Sequence, residues 1–238
     1  MMRHAWSIAA VFVLLQLVAA AQAGPVTGLA AAEIERFGEG KKKSWPDPRL
    51  DEVAARVVQA SNKPNLKAKF RVLNVKAKNA LASADRKVFV TQGLFDATSD
   101  DGLAFVVGHE VAHIERGHHK KTLLTNVAAA LGVGLLSRGR SRDTRTGLAL
   151  GAGYFTSKRS RSWEREADRW GIRWAYAAGY DPYGALEVFR LFKADGSKGS
   201  GLFGRLFADH PDVDVRMRLA KKQIRELTGE EPRAEEEQ

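Results

Sequence analysis

Residues 105–119 read FVVGHEVAHIERGHH and hold four of the six histidines in the chain. Within them, His109, Glu110 and His113 form the pattern HExxH. Residues four apart on an α-helix share a face, so both imidazoles can reach one metal ion. Glu110 lies about 100° round the helix from His109, so its carboxylate can miss the metal and act on a water as a general base. The stretch therefore predicts a helix at the centre of a catalytic metal site.

A catalytic zinc site needs a third protein ligand and one open position, and the chain has no cysteine to supply that ligand. One candidate is His119, six residues beyond the HExxH pattern, but the longer motif with this spacing needs glycine where the chain has Arg116. The other candidate is Glu164, in the stretch SWEREADRWG. Asp168 lies on the same helical face and can accept a hydrogen bond from a ligand histidine, which fixes the tautomer of that histidine.

Small residues, Gly171 and Ala175, continue the helical face that carries Glu164 and Asp168. They would let this helix approach the HExxH helix closely and bring Glu164 to the metal. The alternative is a surface helix whose acids are solvated beside neighbouring arginines. The presence of HExxH favours the metal site.

HExxH followed by Glu-x-x-Ala-Asp resembles the HtpX and CAAX-prenyl-protease family of zinc metallopeptidases. The other matching segments are NALA at 79–82, His118, and DHPDVDVR at 209–216 with its arginine six residues after the histidine. The resemblance covers residues 50–225. The chain departs from the membrane-embedded members in lacking convincing transmembrane helices, and from the larger periplasmic members in lacking a carboxy-terminal helical-repeat domain. It is most similar to the small, exported, single-domain members.

The resemblance implies a zincin-like peptidase domain with one Zn²⁺ ion per chain. The implied ligands are His109, His113 and Glu164, with Glu110 as the general base. It also implies that His210 can reach the site, where it would stabilise the oxyanion or cap the zinc in a resting state. A simple turn residue is the alternative for His210.

Hydrophobic periodicity predicts an α+β domain that is mainly helical, with a small sheet ahead of the HExxH helix. Strands are predicted in KFRVLNVKA and RKVFVTQGLF, with a strand edge or hairpin turn, KNALASAD, between them. The predicted helices are DPRLDEVAARVVQASNK, a helix capped by Ser99 or Asp100, one from 160–163 to Ala178, DPYGALEVFRLFKAD, and one over 210–229.

The first 23 residues have the layout of a secretory signal peptide, with a basic start at Arg3, an apolar run, and the small-residue pattern Ala21-Gln22-Ala23. Cleavage there would leave a domain over 24–228 and an acidic, disordered tail over 229–238. We therefore expect a periplasmic protein. The alternative is an uncleaved amino-terminal helix that anchors the chain in a membrane. Because the chain has no cysteine, we do not expect a lipoprotein with a lipid-modified amino-terminal cysteine.

The net charge of +10 raises the question of a polyanionic partner. The basic residues concentrate in SRGRSRDTRTG and SKRSRSWER, with no aromatic interleaving, which argues against nucleic acid. Peripheral contact with anionic membrane or envelope polymers is a better match for an exported protein. A solvated basic loop is the simpler alternative.

Together these patterns predict a zinc endopeptidase that acts on unfolded or misassembled envelope proteins, with the peptide extended along a strand edge within 79–91. Two alternatives are a chaperone-like peptide-binding protein with little turnover and a domain that binds an envelope polymer through the basic loop. Residues 120–162 separate the two halves of the metal site. Their apolar ends and basic middle predict either a lid or a core helix.

Overall fold

The computed structural model describes residues 31–36, 38–83, 85–118, 121, 132–133, 135–136, 141–195 and 213–230. In chain order its elements are α1 (Ala31–Glu35), β1 (Ser44–Trp45), α2 (Pro48–Ala60), β2 (Lys69–Leu73), β3 (Ala80–Ala82), β4 (Lys87–Thr91), α3 (Gln92–Ala97), α4 (Asp100–Arg116), α5 (Arg142–Ala177), α6 (Gly184–Asp195) and α7 (Val213–Thr228). The prediction of a mainly helical α+β domain with a small sheet before the HExxH helix is confirmed. The predicted signal peptide and nearly all of the acidic tail lie outside the described residues.

The four strands form one mixed sheet in the order β1-β2-β4-β3. The two central strands, β2 and β4, run parallel, and each outer strand is antiparallel to its neighbour. Val88 and Val90 of β4 face the main core, whereas Phe89 faces a smaller apolar cluster that includes Ile34 of α1. Because both faces are covered, β4 is buried along nearly its whole length.

The predicted strand RKVFVTQGLF is shorter than expected, because it ends at Thr91 and α3 follows at once. Thr91 closes the sheet pairing through Asn79: its backbone N–H donates to Asn79 O at 2.9 Å, and its hydroxyl donates to the same oxygen at 2.9 Å. Leu94 of α3 is fully buried. A β-branched and aromatic run therefore gives way to a helical turn that periodicity alone did not separate from it. The intervening segment forms the edge strand β3 and a turn, as predicted.

Helix α4, which carries HExxH, lies in the middle of the domain. Ser99 caps its start by accepting a hydrogen bond from the backbone N–H of Gly102 at 3.1 Å. Gly117 ends it in the left-handed conformation, with φ of 63°. Every residue from Gly102 to His113 is buried, because α4 packs against α2, α5, α6 and β3. A helix covered on all sides gives its polar residues little contact with water.

The helix expected to begin near residues 160–163 begins instead at Arg142, so that part of the prediction is wrong. Ser141 caps α5 by accepting from the backbone N–H of Thr144 at 3.4 Å. This helix includes glycines at 147, 151 and 153, and single glycines cost a helix only about 1 kcal/mol each. The predicted basic loop is therefore helical from Arg142 onward.

Residues 142–162 of the predicted lid belong to the same continuous helix as Glu164. Most of the apolar stretch at 122–136 lies outside the described residues, so the choice between a lid and a core helix stays a prediction. Among the described residues, no helix combines the length and the apolar character needed to cross a membrane.

Candidate metal centre

Two glycines let α4 and α5 cross in backbone contact. A Cβ atom added to Gly171 would lie 2.9 Å from the backbone nitrogen of His109, and one added to Gly108 would lie 2.9 Å from the Cα of Gly171. Carbon atoms of side chains do not approach that closely without displacing the backbone. The expected close approach at Gly171 is confirmed. Gly108 was not singled out in the sequence, although a glycine directly before His109 in a buried apolar run was an available signal.

This crossing brings three side chains with metal-binding atoms together. His109 Nε2 and His113 Nε2 are 3.0 Å apart, and the Glu164 carboxylate oxygens lie 3.6 Å and 3.3 Å from them, respectively. All three residues are buried. Donor atoms bound at about 2.0–2.1 Å to one tetrahedral ion lie roughly 3.3 Å from each other. The chemistry and spacing of these donors therefore fit a single metal ion.

Asp168 lies one helical turn beyond Glu164 and contacts His109 on the side opposite the donor group. Its Oδ1 is 3.0 Å from His109 Nδ1, the nitrogen that points away from the three-residue donor group. A carboxylate at this position accepts the Nδ1 proton and leaves Nε2 free to bind a metal. Asp168 therefore lies where the sequence predicted it, behind one histidine of the three-residue donor group.

Arg216 of α7 completes this corner of the site, and sequence reasoning gave it no role. It donates to both oxygens of Asp168, from Nε at 2.7 Å and from Nη2 at 2.5 Å, and its Nη1 is 3.5 Å from a Glu164 oxygen. Its only sequence signal was its position six residues after His210 in the matching segment DHPDVDVR. A buried guanidinium bound in this bidentate way holds the Asp168 carboxylate in a fixed orientation, and its Nη1 adds an ion pair with Glu164.

Burial and charge set the protonation of these groups. Burial acts to raise the pKa of Asp168, but the charge and hydrogen bonds of Arg216 outweigh burial and lower it. Burial acts to lower the pKa of Arg216, and the nearby carboxylates, Asp168 first, outweigh burial and raise it. Burial lowers the pKa of His109 below its ordinary value. The site therefore holds an ionised Asp168 beside a neutral His109, and a neutral imidazole is the form that can bind a metal cation.

His118 follows the C-cap of α4, where a protonated histidine at the surface would interact favourably with the helix dipole, but the structure buries its ring instead. The left-handed turn at Gly117 directs His118 back beneath α4, where it is 1% exposed. Its Nδ1 is 3.2 Å from His113 Nδ1, and its ring stacks on Trp163 with centroids 5.7 Å apart. Burial, followed by the charge of His113, lowers the pKa of His118 to about 3, so its ring is neutral.

The remaining predicted site residues are placed as follows. Glu110 is 4% exposed and follows His109 directly on α4, outside the three-residue donor group of His109, His113 and Glu164. The alternative third ligand, His119, and the predicted oxyanion residue, His210, both lie outside the described residues.

Comparisons with known proteins agree with this geometry. The model of peptidase family M48 matches residues 44–224 of the chain. Metalloprotease LoiP of Escherichia coli (strain K12) is 31% identical over 150 residues, covering 60% of this chain and 57% of LoiP. Metalloprotease YcaL of the same strain is 27% identical over 210 residues, covering 86% of this chain and 80% of YcaL.

A protease HtpX homolog of Bordetella petrii is 30% identical over 166 residues, which cover 56% of this chain and 56% of that protein. The matching part of the chain thus spans little more than half the length of LoiP and of the HtpX homolog. The resemblance to HtpX-type metallopeptidases that the motifs predicted is confirmed.

Proposed function

Because the chain belongs to peptidase family M48, we propose that it is a zinc-dependent endopeptidase that hydrolyses unfolded or misassembled envelope proteins. The observation that carries this proposal is the buried donor group of His109, His113 and Glu164, with its near-tetrahedral spacing. Two imidazoles and one carboxylate are the protein ligands of zinc in thermolysin-type peptidases, and they leave one position open.

When bound at this site, zinc would supply the Lewis acidity that polarises the scissile carbonyl and makes water more acidic. The chain's own residues perform the proton transfers and the positioning. Glu110 takes a proton from the attacking water and passes it to the leaving amine. Asp168 and Arg216 hold His109 and Glu164 in place. Because these side chains are buried, their charges act with little screening by solvent.

We include His210 in the proposed site because it lies three residues before α7 in the sequence. Helix α7 begins at Val213, three residues after His210, and its Arg216 reaches the metal centre. This supports a position near the open side of the site. There His210 would stabilise the oxyanion or act as a resting-state ligand of the zinc.

The edge strand β3 is the proposed binding surface for the peptide. The residues that flank β3, Asn79 and Ser83, form hydrogen bonds with β4 and with its neighbouring backbone. Thr91 N–H donates to Asn79 O at 2.9 Å, and Ser83 N–H donates to Lys87 O at 2.7 Å. In an antiparallel ladder the intervening residues, Ala80 and Ala82, direct their backbone groups away from β4. The Ala80 N–H donates a hydrogen bond to the side-chain oxygen of Asn79 at 2.8 Å, so it is not available to a peptide. The Ala80 carbonyl and both backbone groups of Ala82 are then directed toward an added strand.

Binding through backbone groups favours extended, unfolded segments over particular side chains, which supports unfolded protein as the substrate class. The signal-peptide pattern ending at Ala23 supports a periplasmic location, with a membrane-anchored form as the alternative. The basic stretches support peripheral contact with anionic membrane or envelope polymers. They carry no nucleic-acid motif.

The test is metal analysis of the purified protein together with casein digestion. Wild type should hold one zinc per chain and cleave casein, and Glu110→Gln should keep zinc and lose cleavage. His109→Ala, His113→Ala and Glu164→Ala should each lose zinc. Normal zinc content in Glu164→Ala, with loss in His119→Ala, would identify His119 as the third ligand instead. A zinc-loaded wild type that binds casein but turns it over very slowly would favour the chaperone-like function.

A further inference from the structure

The two histidines of the metal centre are supported from behind by different chemistry. His109 Nδ1 faces a carboxylate directly, that of Asp168 at 3.0 Å. His113 Nδ1 faces the imidazole of His118 at 3.2 Å. His118 in turn faces a carboxylate, because its Nε2 lies 3.4 Å from an oxygen of Glu166. A carboxylate thus contacts His109 directly, whereas the nearest carboxylate behind His113 contacts it only through the ring of His118.

The proton positions along this chain of contacts are determined by metal binding. His113 can bind a metal through Nε2 only when that nitrogen carries no proton, so its proton resides on Nδ1. His113 donates that proton to Nδ1 of His118. Nδ1 of His118 is therefore the acceptor and carries no proton. The proton of the neutral His118 ring then resides on Nε2 and points toward Glu166. A single pair of tautomers satisfies all of these contacts.

Two further contacts hold this arrangement in place. Trp163 stacks on the His118 ring at an interplanar angle of 15°, which fixes the plane in which Nδ1 and Nε2 lie. Arg116 Nε is 3.4 Å from the other oxygen of Glu166, which helps to hold that carboxylate beside the His118 ring. Glu166 itself is half-exposed, whereas His118 is buried.

We propose that His118 is a positioning residue that fixes the tautomer and orientation of His113, and that Glu166 acts on the metal site through His118. The proposal rests on the metal centre of the proposed function and adds to it a determinant of metal affinity. It also gives Glu166 a role distinct from those of its neighbours on α5: Glu164 is a ligand, Asp168 supports His109, and Glu166 supports His113 through His118.

Two substitutions at the same position separate this role from a purely structural one. His118→Phe keeps an aromatic ring for the stack on Trp163 but removes both nitrogens. His118→Asn removes the ring, but its side-chain oxygen can accept the proton of His113 from nearly the position of the lost Nδ1. The measurements are the zinc dissociation constant, by competition with a chelator, and the melting temperature of the metal-free protein.

We expect His118→Phe to bind zinc about 10–100-fold more weakly than wild type, which is the usual cost of removing such a partner. His118→Asn should bind zinc more tightly than His118→Phe, even if its metal-free form melts at a lower temperature. Should His118→Phe bind zinc as wild type does, or His118→Asn bind it more weakly than His118→Phe, the ring is structural and the proposal is wrong.

Glu166→Gln provides a second test that does not depend on the folding of either variant at position 118. It should weaken zinc binding several-fold at an unchanged metal-free melting temperature, and it should have no further effect when combined with His118→Phe. The matched control is Glu226→Gln, an exposed glutamate on α7. Equal zinc affinities for Glu166→Gln and the control would contradict the proposal. Absence of zinc from wild type would instead contradict the proposed function.

Discussion

At the scale of single residues, the most demanding feature is the charge of Arg216. Its side chain is 3% exposed and packs on the ring of Phe189 with its guanidinium 5.0 Å from the ring centroid. A charge removed from water in this way is tolerated because the carboxylate of Asp168 accepts hydrogen bonds from both Nε and Nη2 of the guanidinium. The same pair orients His109, so one interaction contributes to both stability and metal binding.

Arg216→Met should therefore be strongly destabilising, because it leaves Asp168 as a buried charge without its partner. We expect the free energy of unfolding of the metal-free protein to fall by about 3–5 kcal/mol, and zinc binding to weaken. Urea denaturation measures the first effect and chelator competition the second. The control is Arg218→Met, an exposed arginine on the same helix. If both variants unfold at the same urea concentration, the Arg216–Asp168 pair does not stabilise the fold.

At the scale of elements, the crossing of α4 and α5 decides whether the metal centre forms at all. Helix α4 supplies His109 and His113, and α5 supplies Glu164 and Asp168 from a segment about 50 residues later in the chain. The two sets of side chains meet because the helices touch at Gly171, where the added Cβ of any other residue would overlap α4. The geometry of the donor group therefore depends on the small size of residues that are not themselves ligands, Gly171 and its contact Gly108.

Gly171→Ala should push the two helices apart at this point. We expect a loss of about 1–3 kcal/mol in the free energy of unfolding, as for other overpacked cores, together with weaker zinc binding, because Glu164 moves away from the histidines. The control is Gly132→Ala, since an added Cβ at Gly132 meets no atom within 4 Å. A Gly171→Ala variant with wild-type stability and zinc affinity would show that the crossing has room to adjust.

At the scale of the whole molecule, the site couples stability to pH. Both His109 and His118 have a pKa below the ordinary value of 6.5 in the folded protein, mainly because they are buried. In the unfolded chain the same side chains titrate near pH 6.5. As the pH falls below that value, the unfolded state takes up protons that the folded state does not. The contribution of these histidines to stability is thus present above pH 6.5 and is lost at lower pH.

The metal-free protein should accordingly become less stable from pH 7 toward pH 4, the loss from His118 continuing to its folded pKa of about 3. Melting temperatures across this range measure the effect. His118→Phe should show a shallower decline than wild type, because one of the histidines responsible is gone. An identical pH dependence in the two proteins would mean that His118 titrates normally when folded.

Local sequence determined much of this protein. The HExxH helix with its cap at Ser99 was predictable, because side-chain spacing and capping act within one or two turns of the chain. The candidate group of His109, His113 and Glu164 followed from the same spacing and from the resemblance it revealed. The strand limit at Thr91 and the start of α5 at Arg142 were not recognised, since propensities there differ by amounts that packing readily overrides.

The sequence predicted Asp168 behind one histidine of the metal centre, but tertiary structure alone decided the rest of its support. Arg216 meets Asp168 across 48 residues of sequence, and His118 meets Glu166 across the same separation. Neither pairing can be read from hydrophobic periodicity in the sequence. Each depends on where separate helices pack and on which side chains are buried. The sequence thus determined which residues could bind a metal. The packing of α4, α5 and α7 determined their partners, because a buried charge or imidazole is stable only where the fold places a complementary group beside it.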